Sequence, residues 1–280
     1  MPSRSDIERV AAVALAEDGE TDLTTTLTVA AGVTAVAGLE FRSAGVLAGT
    51  AYAEAVFQAC GCAVEWKLAE GEKAFAGSVA GNVRGELRRI LRAERPALNI
   101  LQRASGIATA TRAFVDAVAG IRCHILHTRK TAPGLRNLDV AAVIAGGGRP
   151  HRLDLAHELM VKDNHWQALS RGGITLEQAL ASARQRGVAA LYVEVESKEQ
   201  LEQACGAGAT RLLIDNQSPG TVRAWAGLAR QRSAEIEIEA TGGITLENVR
   251  AYAEAGADFI SVGALTHSVR AADISLEVVV

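Results

Sequence analysis

Aromatic side chains are scarce in this 280-residue chain, at 4%. With hydrophobic residues at 49%, Ala, Val, Leu and Gly must fill the interior, which suits helices packed on a sheet better than an all-β sandwich. Cysteine is equally sparse, at four residues. Cys60-Gly61-Cys62 has one intervening residue and no second half, so zinc-ligand spacing is absent. Cys60, Cys62, Cys123 and Cys205 read as small buried hydrophobes in a reducing compartment. Long apolar runs are missing too, since none approaches the roughly 18–20 residues of a membrane span. The apolar run 11–16, bounded by charges, belongs to an amphipathic helix and not to a signal peptide. Together these absences predict a cytoplasmic protein with no membrane contact. A net charge of −3 also leaves no overall basic surface for a nucleic acid.

What is present is a local concentration of positive charge. Thr128-Arg129-Lys130-Thr131 is followed by Gly146-Gly147-Gly148, His151-Arg152 and Lys162-Asp163-Asn164-His165. A cationic focus on a slightly acidic background suits a small polyanionic substrate.

Residues 1–105 mix element types. The pattern predicts a helix at 6–16, a polar turn at 17–26, strands at 34–41, 45–48 and 64–68, and a helix at 51–58. A helical pattern from Gly85 towards Val118 is expected to be interrupted at Pro96 and Gly106. After Ile121 strands and helices alternate. Apolar runs at 123–127, 159–161, 191–195, 211–214, 236–240 and 259–262 are separated by amphipathic stretches at 175–186, 198–205, 221–231 and 245–255. Thr175-x-x-Gln178 and Thr245-x-x-Asn248 stand where helix N-caps are expected. Such alternation implies parallel strands with right-handed crossovers. The strands end in Arg129 and Lys130, Lys162 and Asp163, Glu194, Asp215, Glu239 with Thr241, and Ser261. Polar groups at the C-terminal ends of six successive strands favour a (β/α) barrel over an open doubly wound sheet.

Thr241-Gly242-Gly243 and Ser261-Val262-Gly263-Ala264 form the last two strand-to-helix turns, where backbone N–H groups can hold a phosphate. Glu194, Asp215 and Asp163 can hold Mg²⁺ through water beside substrate phosphates, bond ribose hydroxyls, or pair with Lys130 or Lys162. Arg129, Lys130, Arg152 and Lys162 together call for a ligand with several negative charges, although one lysine could instead form a Schiff base. His151 is either a carboxylate donor or a turn histidine. His124, His127 and His157 are ordinary packing residues, and the Gly146–Gly148 run makes a close turn.

These residues resemble the quinolinate phosphoribosyltransferase family, also called nicotinate-nucleotide pyrophosphorylase (carboxylating). The likeness lies in Thr128-Arg-Lys-Thr-Ala-Pro-Gly-Leu-Arg136, the three glycines, His151-Arg152 and Val161-Lys-Asp-Asn-His165. It extends over Glu17-Asp18 with Asp22-Leu-Thr-Thr25, Gly45-Val-Leu-Ala-Gly49, Glu94-Arg95, Ser105-Gly-Ile-Ala-Thr109, Val193-Glu-Val-Glu196, Ile214-Asp-Asn216, Thr241-Gly-Gly-Ile244 and Ser261–His267.

The resemblance implies an α/β protein with an N-terminal α/β sandwich domain (residues 1–105, with 268–280 returning to it) and an incomplete parallel (β/α) barrel (106–267). It implies a homodimer, or a higher oligomer built on it, with shared active sites. Arg129, His151, Arg152 and Lys162 would grip the two carboxylates of quinolinate, with Arg95 arriving from the partner subunit and Thr128 beside them. Lys130, Glu194 and Asp215 would serve phosphoribosyl pyrophosphate and Mg²⁺, and residues Thr241, Gly242, Gly243, Ser261, Gly263 and Ala264 its 5-phosphate. The implied reaction yields nicotinate mononucleotide, pyrophosphate and CO2 in de novo NAD biosynthesis. Val140, Ile144, Pro150, Tyr192 and Pro96 depart from the family pattern. They keep open a related transferase for another aromatic acid, a molybdate-transport-associated homologue, or a non-catalytic anion-binding protein.

Overall fold

The computed structural model describes residues 2–279, which form two compact units. The first comprises Met1–Arg112, Lys130–Gly148 and Ala264–Val280; the second comprises Ala113–Arg129 and Arg149–Gly263.

The first unit begins with α1 (Arg4–Glu17), capped by the Ser3 hydroxyl, which accepts the Asp6 N–H. A short helix, α2 (Leu23–Thr28), replaces the expected polar turn. Asp22 accepts the Thr25 N–H and caps it, a local bond that outweighs the poor helix propensity of four threonines. Then follow β1 (Thr34–Phe41), β2 (Gly45–Val46), α3 (Thr50–Ala59), β3 (Ala63–Trp66), β4 (Lys73–Ala74), β5 (Val79–Glu86) and α4 (Leu87–Ala117). Ala37, Leu39 and Phe41 alternate along β1 and point inward, as a half-buried antiparallel strand requires. Helix α3 buries Tyr52, Ala53, Val56 and Phe57.

The expected interruptions of α4 do not occur. Pro96 lies inside one continuous helix, and an interior proline costs about 3 kcal/mol. Ile90, Ala93, Ala97, Leu98, Leu101 and Ala104 are buried along α4, and each large aliphatic among them contributes ~1.5–3 kcal/mol. Gly106 is needed for close approach: a Cβ there would stand 2.2 Å from the Arg270 carbonyl oxygen.

The second unit is built on parallel strands. After β6 (His124–Leu126) the chain passes through α5 (Arg136–Ala145) of the first unit. It continues with β7 (Leu159–Val161), α6 (Asp163–Gly172), α7 (Leu176–Gln185), β8 (Leu191–Val195), α8 (Lys198–Ala207), β9 (Arg211–Asp215), α9 (Pro219–Arg232), β10 (Glu237–Thr241), α10 (Val249–Glu254) and β11 (Phe259–Ser261). The order is β6-β11-β10-β9-β8-β7, so β6 and β7 are edges and the barrel is incomplete. Beside β6, Arg149 makes a parallel bridge to Leu126 and donates its N–H to Ile125 O at 2.8 Å.

Helix starts follow local chemistry. Thr175 and Gln178 form a reciprocal capping box, and Ser197 and Ser218 cap α8 and α9. Thr245 does not cap a helix. Its N–H donates to Asn248 Oδ1 in a turn, and α10 starts only at Val249. The chain ends in the first unit with α11 (Ala264–His267) and β12 (Ile274–Val279). The latter completes an antiparallel sheet of order β12-β1-β5-β3, with Leu39 opposite Leu276. Among the described residues no helix is long and apolar enough to cross a membrane.

Candidate active site

Parallel register brings the strand ends to one edge. Thr241 pairs with Asp215, Val195 with Ile214, Val161 with Val193, and Ser261 with Leu126. Residues just beyond these pairs therefore gather at the C-terminal edge of the sheet, as a barrel's active face requires.

Arg129 follows β6 and Arg152 lies in the segment leading to β7. The Arg129 Nε is buried without a hydrogen-bond partner, and neither guanidinium forms an ion pair among the described residues. Burial and then the nearby Arg129 charge push the Arg152 pKa down, only partly countered by Glu158 and Asp154. Two neighbouring guanidiniums with no direct ion-pair partner among the described residues are suited to a ligand carrying two negative charges.

The histidines around them are committed within the protein. His151 Nδ1 accepts the Arg152 N–H at 2.6 Å, which places the ring proton on Nε2, facing both oxygens of Glu239 at 3.2 Å. His151 N–H donates to His127 Nε2 at 3.0 Å, and His127 Nδ1 donates to Thr128 O at 3.0 Å. His127 is thus a fully buried brace between two segments of the site, a role its sequence context did not signal.

Lys162 forms an ion pair with Glu194, the lysine–carboxylate pairing left open by the sequence. The motif Lys162–His165 then divides by role. His165 Nδ1 accepts the Lys162 N–H at 3.0 Å and caps α6, while Trp166 Nε1 donates to Glu194 O at 2.8 Å. Asp163 is exposed. Burial, and next the charge of Glu194, raise the Asp215 pKa, with Lys162 pulling the other way. Two mutually repelling carboxylates with one ammonium between them fit a divalent cation, most readily one that brings its own phosphate ligands. Among the described residues no group of three metal-ligating side chains occurs, so the protein alone offers no complete cation cage.

Gly242 has φ 83°, and a Cβ would meet Asn216 Oδ1 at 2.2 Å. Asn216 is itself left-handed (φ 52°) and donates its N–H to Thr241 O, so the two turns interlock at the edge. The Ser261 hydroxyl turns inward and donates to Glu239 Oε1 at 2.6 Å, which leaves backbone groups as what the 261–263 turn can offer a ligand.

Three expected site residues lie in the first unit. Arg95 is exposed on α4 and forms no ion pair among the described residues. Lys130 is exposed, and its carbonyl accepts the Thr266 hydroxyl at 2.9 Å; Ala264 opens α11. The segment after Lys130 is held by Asp139, fully buried, which accepts two bonds from Arg103 at 2.8 Å and one from Ala132 N–H at 3.1 Å. Of the departures on α5, Val140 is a core residue and Ile144 is exposed.

Comparison with known proteins gives one answer. Family models described as quinolinate phosphoribosyl transferase, N-terminal and C-terminal domain, match residues 22–105 and 107–277. The human nicotinate-nucleotide pyrophosphorylase [carboxylating] is 40% identical over 245 residues, covering 86% of this chain and 81% of that one. A protein of Bacillus subtilis named as a probable enzyme of the same kind is 41% identical over 241 residues, covering 85% and 81%. The nicotinate-nucleotide pyrophosphorylase structure from Francisella tularensis matches with TM-score 0.92 and 31% identity, over 100% of this chain and 98% of that one. A strand edge that joins an arginine pair to a carboxylate pair, on a chain matched along nearly its whole length, places this protein in the quinolinate phosphoribosyltransferase family.

Proposed function

We propose that the chain transfers the phosphoribosyl group of 5-phosphoribosyl 1-pyrophosphate to quinolinate with decarboxylation, releasing nicotinate mononucleotide, pyrophosphate and CO2. The observation that carries this is the Arg129–Arg152 pair. It has no direct ion-pair partner among the described residues, the Arg152 charge being only partly countered by Glu158 and Asp154, and it stands on the same strand edge as Glu194 and Asp215. A pyridine-2,3-dicarboxylate supplies the two missing negative charges, and forked guanidiniums fix its plane so that the ring nitrogen points at C1 of the ribose. Lys162 adds a third cation and is released from Glu194 as the ligand's charge arrives.

Glu194 and Asp215 would hold Mg²⁺, which supplies charge neutralisation of the departing pyrophosphate when bound. The same carboxylates favour positive charge developing at the ribose as the C1–O bond breaks. The turns at Thr241–Gly243 and Ser261–Gly263 offer backbone N–H groups to the 5-phosphate, continued by Ala264, and Lys130 adds charge to the phosphorylated sugar. After transfer, the C–C bond to the carboxylate next to the cationic ring nitrogen breaks and CO2 leaves; the electron pair left on the ring carbon is stabilised by that charge and then takes a proton from solvent water. No side chain has to remove a proton.

The active unit in this proposal is a homodimer with shared sites, in which Arg95 serves the neighbouring subunit; its exposure, with no ion-pair partner among the described residues, supports that role. A cytoplasmic setting is part of the same proposal and is supported by four cysteines held as thiols.

The test is direct. Incubation with quinolinate, phosphoribosyl pyrophosphate and Mg²⁺ is expected to give equal amounts of nicotinate mononucleotide and pyrophosphate. Nicotinate and other aromatic acids offered in parallel identify a changed acceptor, and no product from any acid sinks the proposal. Mixed dimers of Arg95→Ala and Arg152→Ala should recover part of the activity that each variant alone has lost.

A further inference from the structure

Glu239 sits in the middle of β10, 1% exposed, where a parallel strand ordinarily carries an aliphatic side chain. Its carboxylate accepts from Ser261 Oγ at 2.6 Å, Arg211 Nη1 at 3.2 Å and His151 Nε2 at 3.2 Å. Burial opposes its ionisation, but the His151 and Ser261 hydrogen bonds and the Arg211 charge prevail and hold the pKa low. Arg211 is pinned in turn by Glu237 at 2.8 Å, with its guanidinium 4.5 Å from the Tyr192 ring centroid and 3.9 Å from that of Phe259. The His151 ring meets Tyr192 edge-on at 6.0 Å.

Well-packed aliphatic residues would serve the stability of a barrel core as well as such a network or better. The path that leads outward from Glu239 explains the group. By accepting from Nε2 it selects the His151 tautomer whose Nδ1 is free to accept the Arg152 N–H. The His151 N–H reaches His127, and His127 reaches the Thr128 carbonyl, one residue before Arg129. The backbones carrying the two arginines are therefore tied together by the His151 N–H to His127 bond, and the buried carboxylate fixes the His151 ring at the centre of that tie. That tie matters because the arginine charges repel each other when the site is empty.

We infer that Glu239 is a positioning residue, acting through His151 on Arg152 and through His127 on Arg129, and setting the spacing that reads a vicinal dicarboxylate. It rests on the function proposed above. Tyr192 belongs to the same device, since it confines His151 and Arg211 from the neighbouring strand.

Glu239→Leu tests it, with Arg211 still paired to Glu237. The KM for quinolinate should rise about ten- to a hundredfold, as expected when reacting groups are misplaced. The KM for phosphoribosyl pyrophosphate should stay within about twofold, and kcat should fall much less than the KM rises. Glu239→Gln, whose amide oxygen still accepts from His151, should recover most of the loss. Equal rises in both KM values, or an unchanged KM for quinolinate, would overturn the inference. A second measurement needs no variant: ¹⁵N spectra of histidine-labelled wild-type protein should show His151 as the Nε2–H tautomer at neutral pH. An Nδ1–H tautomer would overturn the positioning role alone, whereas absent turnover in wild type would count against the function alone.

Discussion

Arg152→Met separates a ligand-binding arginine from a structural one. Methionine keeps much of the apolar length of the side chain and deletes the charge. In the folded protein that charge is disfavoured, first by burial and then by Arg129; Glu158 and Asp154 offset this only in part, and no ion pair among the described residues relieves it. Because the folded-state pKa of a cation is lowered, the charged form works against folding at neutral pH. Solvent screening limits that penalty to about 1 kcal/mol. Relief of this size corresponds to a rise in Tm of about 2–4 °C for a chain of 150–250 residues, and slightly less for this one. Dicarboxylate binding should suffer in the opposite sense. Hydrogen bonds to a charged group contribute about 1.5–3 kcal/mol, so the KM for quinolinate should rise roughly ten- to 150-fold. Thermal melts without ligand and steady-state rates with both substrates check the two halves together. A Tm lowered by several degrees with an unchanged KM would mean that Arg152 supports the fold and has no part in holding an anion.

The remaining expectations concern the carboxylates and the turns. Burial and Glu194 raise the Asp215 pKa above 3.8; such a group favours folding below its ordinary value and loses that contribution as pH rises through its folded one. Asp215→Asn should therefore be more stable than wild type at pH 7, with the gap closing below about pH 4; melts across that range read it. Asp139→Ala leaves Arg103 without its buried partner and should lower unfolding stability by about 3 kcal/mol in denaturant titrations. Gly242→Ala forces a Cβ to 2.2 Å from Asn216 Oδ1 in a left-handed turn, a strain of about 1–3 kcal/mol, visible as a lower Tm and a raised KM for phosphoribosyl pyrophosphate.

Strands β6 to β11 were legible because each is a short apolar run bounded by polar turns, and a buried parallel strand needs no more than that. Helices failed to be legible where one bond outweighed propensity. Asp22 capped four threonines into α2, Asn248 took the Thr245 N–H and delayed α10, and burial carried α4 through Pro96. At the site, charge density singled out Arg129, Arg152 and Lys162, since cations crowded together favour an anionic ligand wherever the chain places them.

Glu239, Arg211, His127 and Asp139 could not be recognised as a support system in the same way. A lone Glu in an apolar run, or a lone His at a strand end, has the same local appearance whether it faces solvent or holds a neighbour. By itself the sequence determined the chemistry available: the cations, the carboxylates, the glycine turns, and the alternation that brings them to one sheet edge. Tertiary structure alone decided which nitrogen of His151 carries the proton, which carboxylate Lys162 meets, and that Ser261 turns inward. Those outcomes depend on distances of about 3 Å between residues tens of positions apart in the chain, a separation that local pattern does not encode.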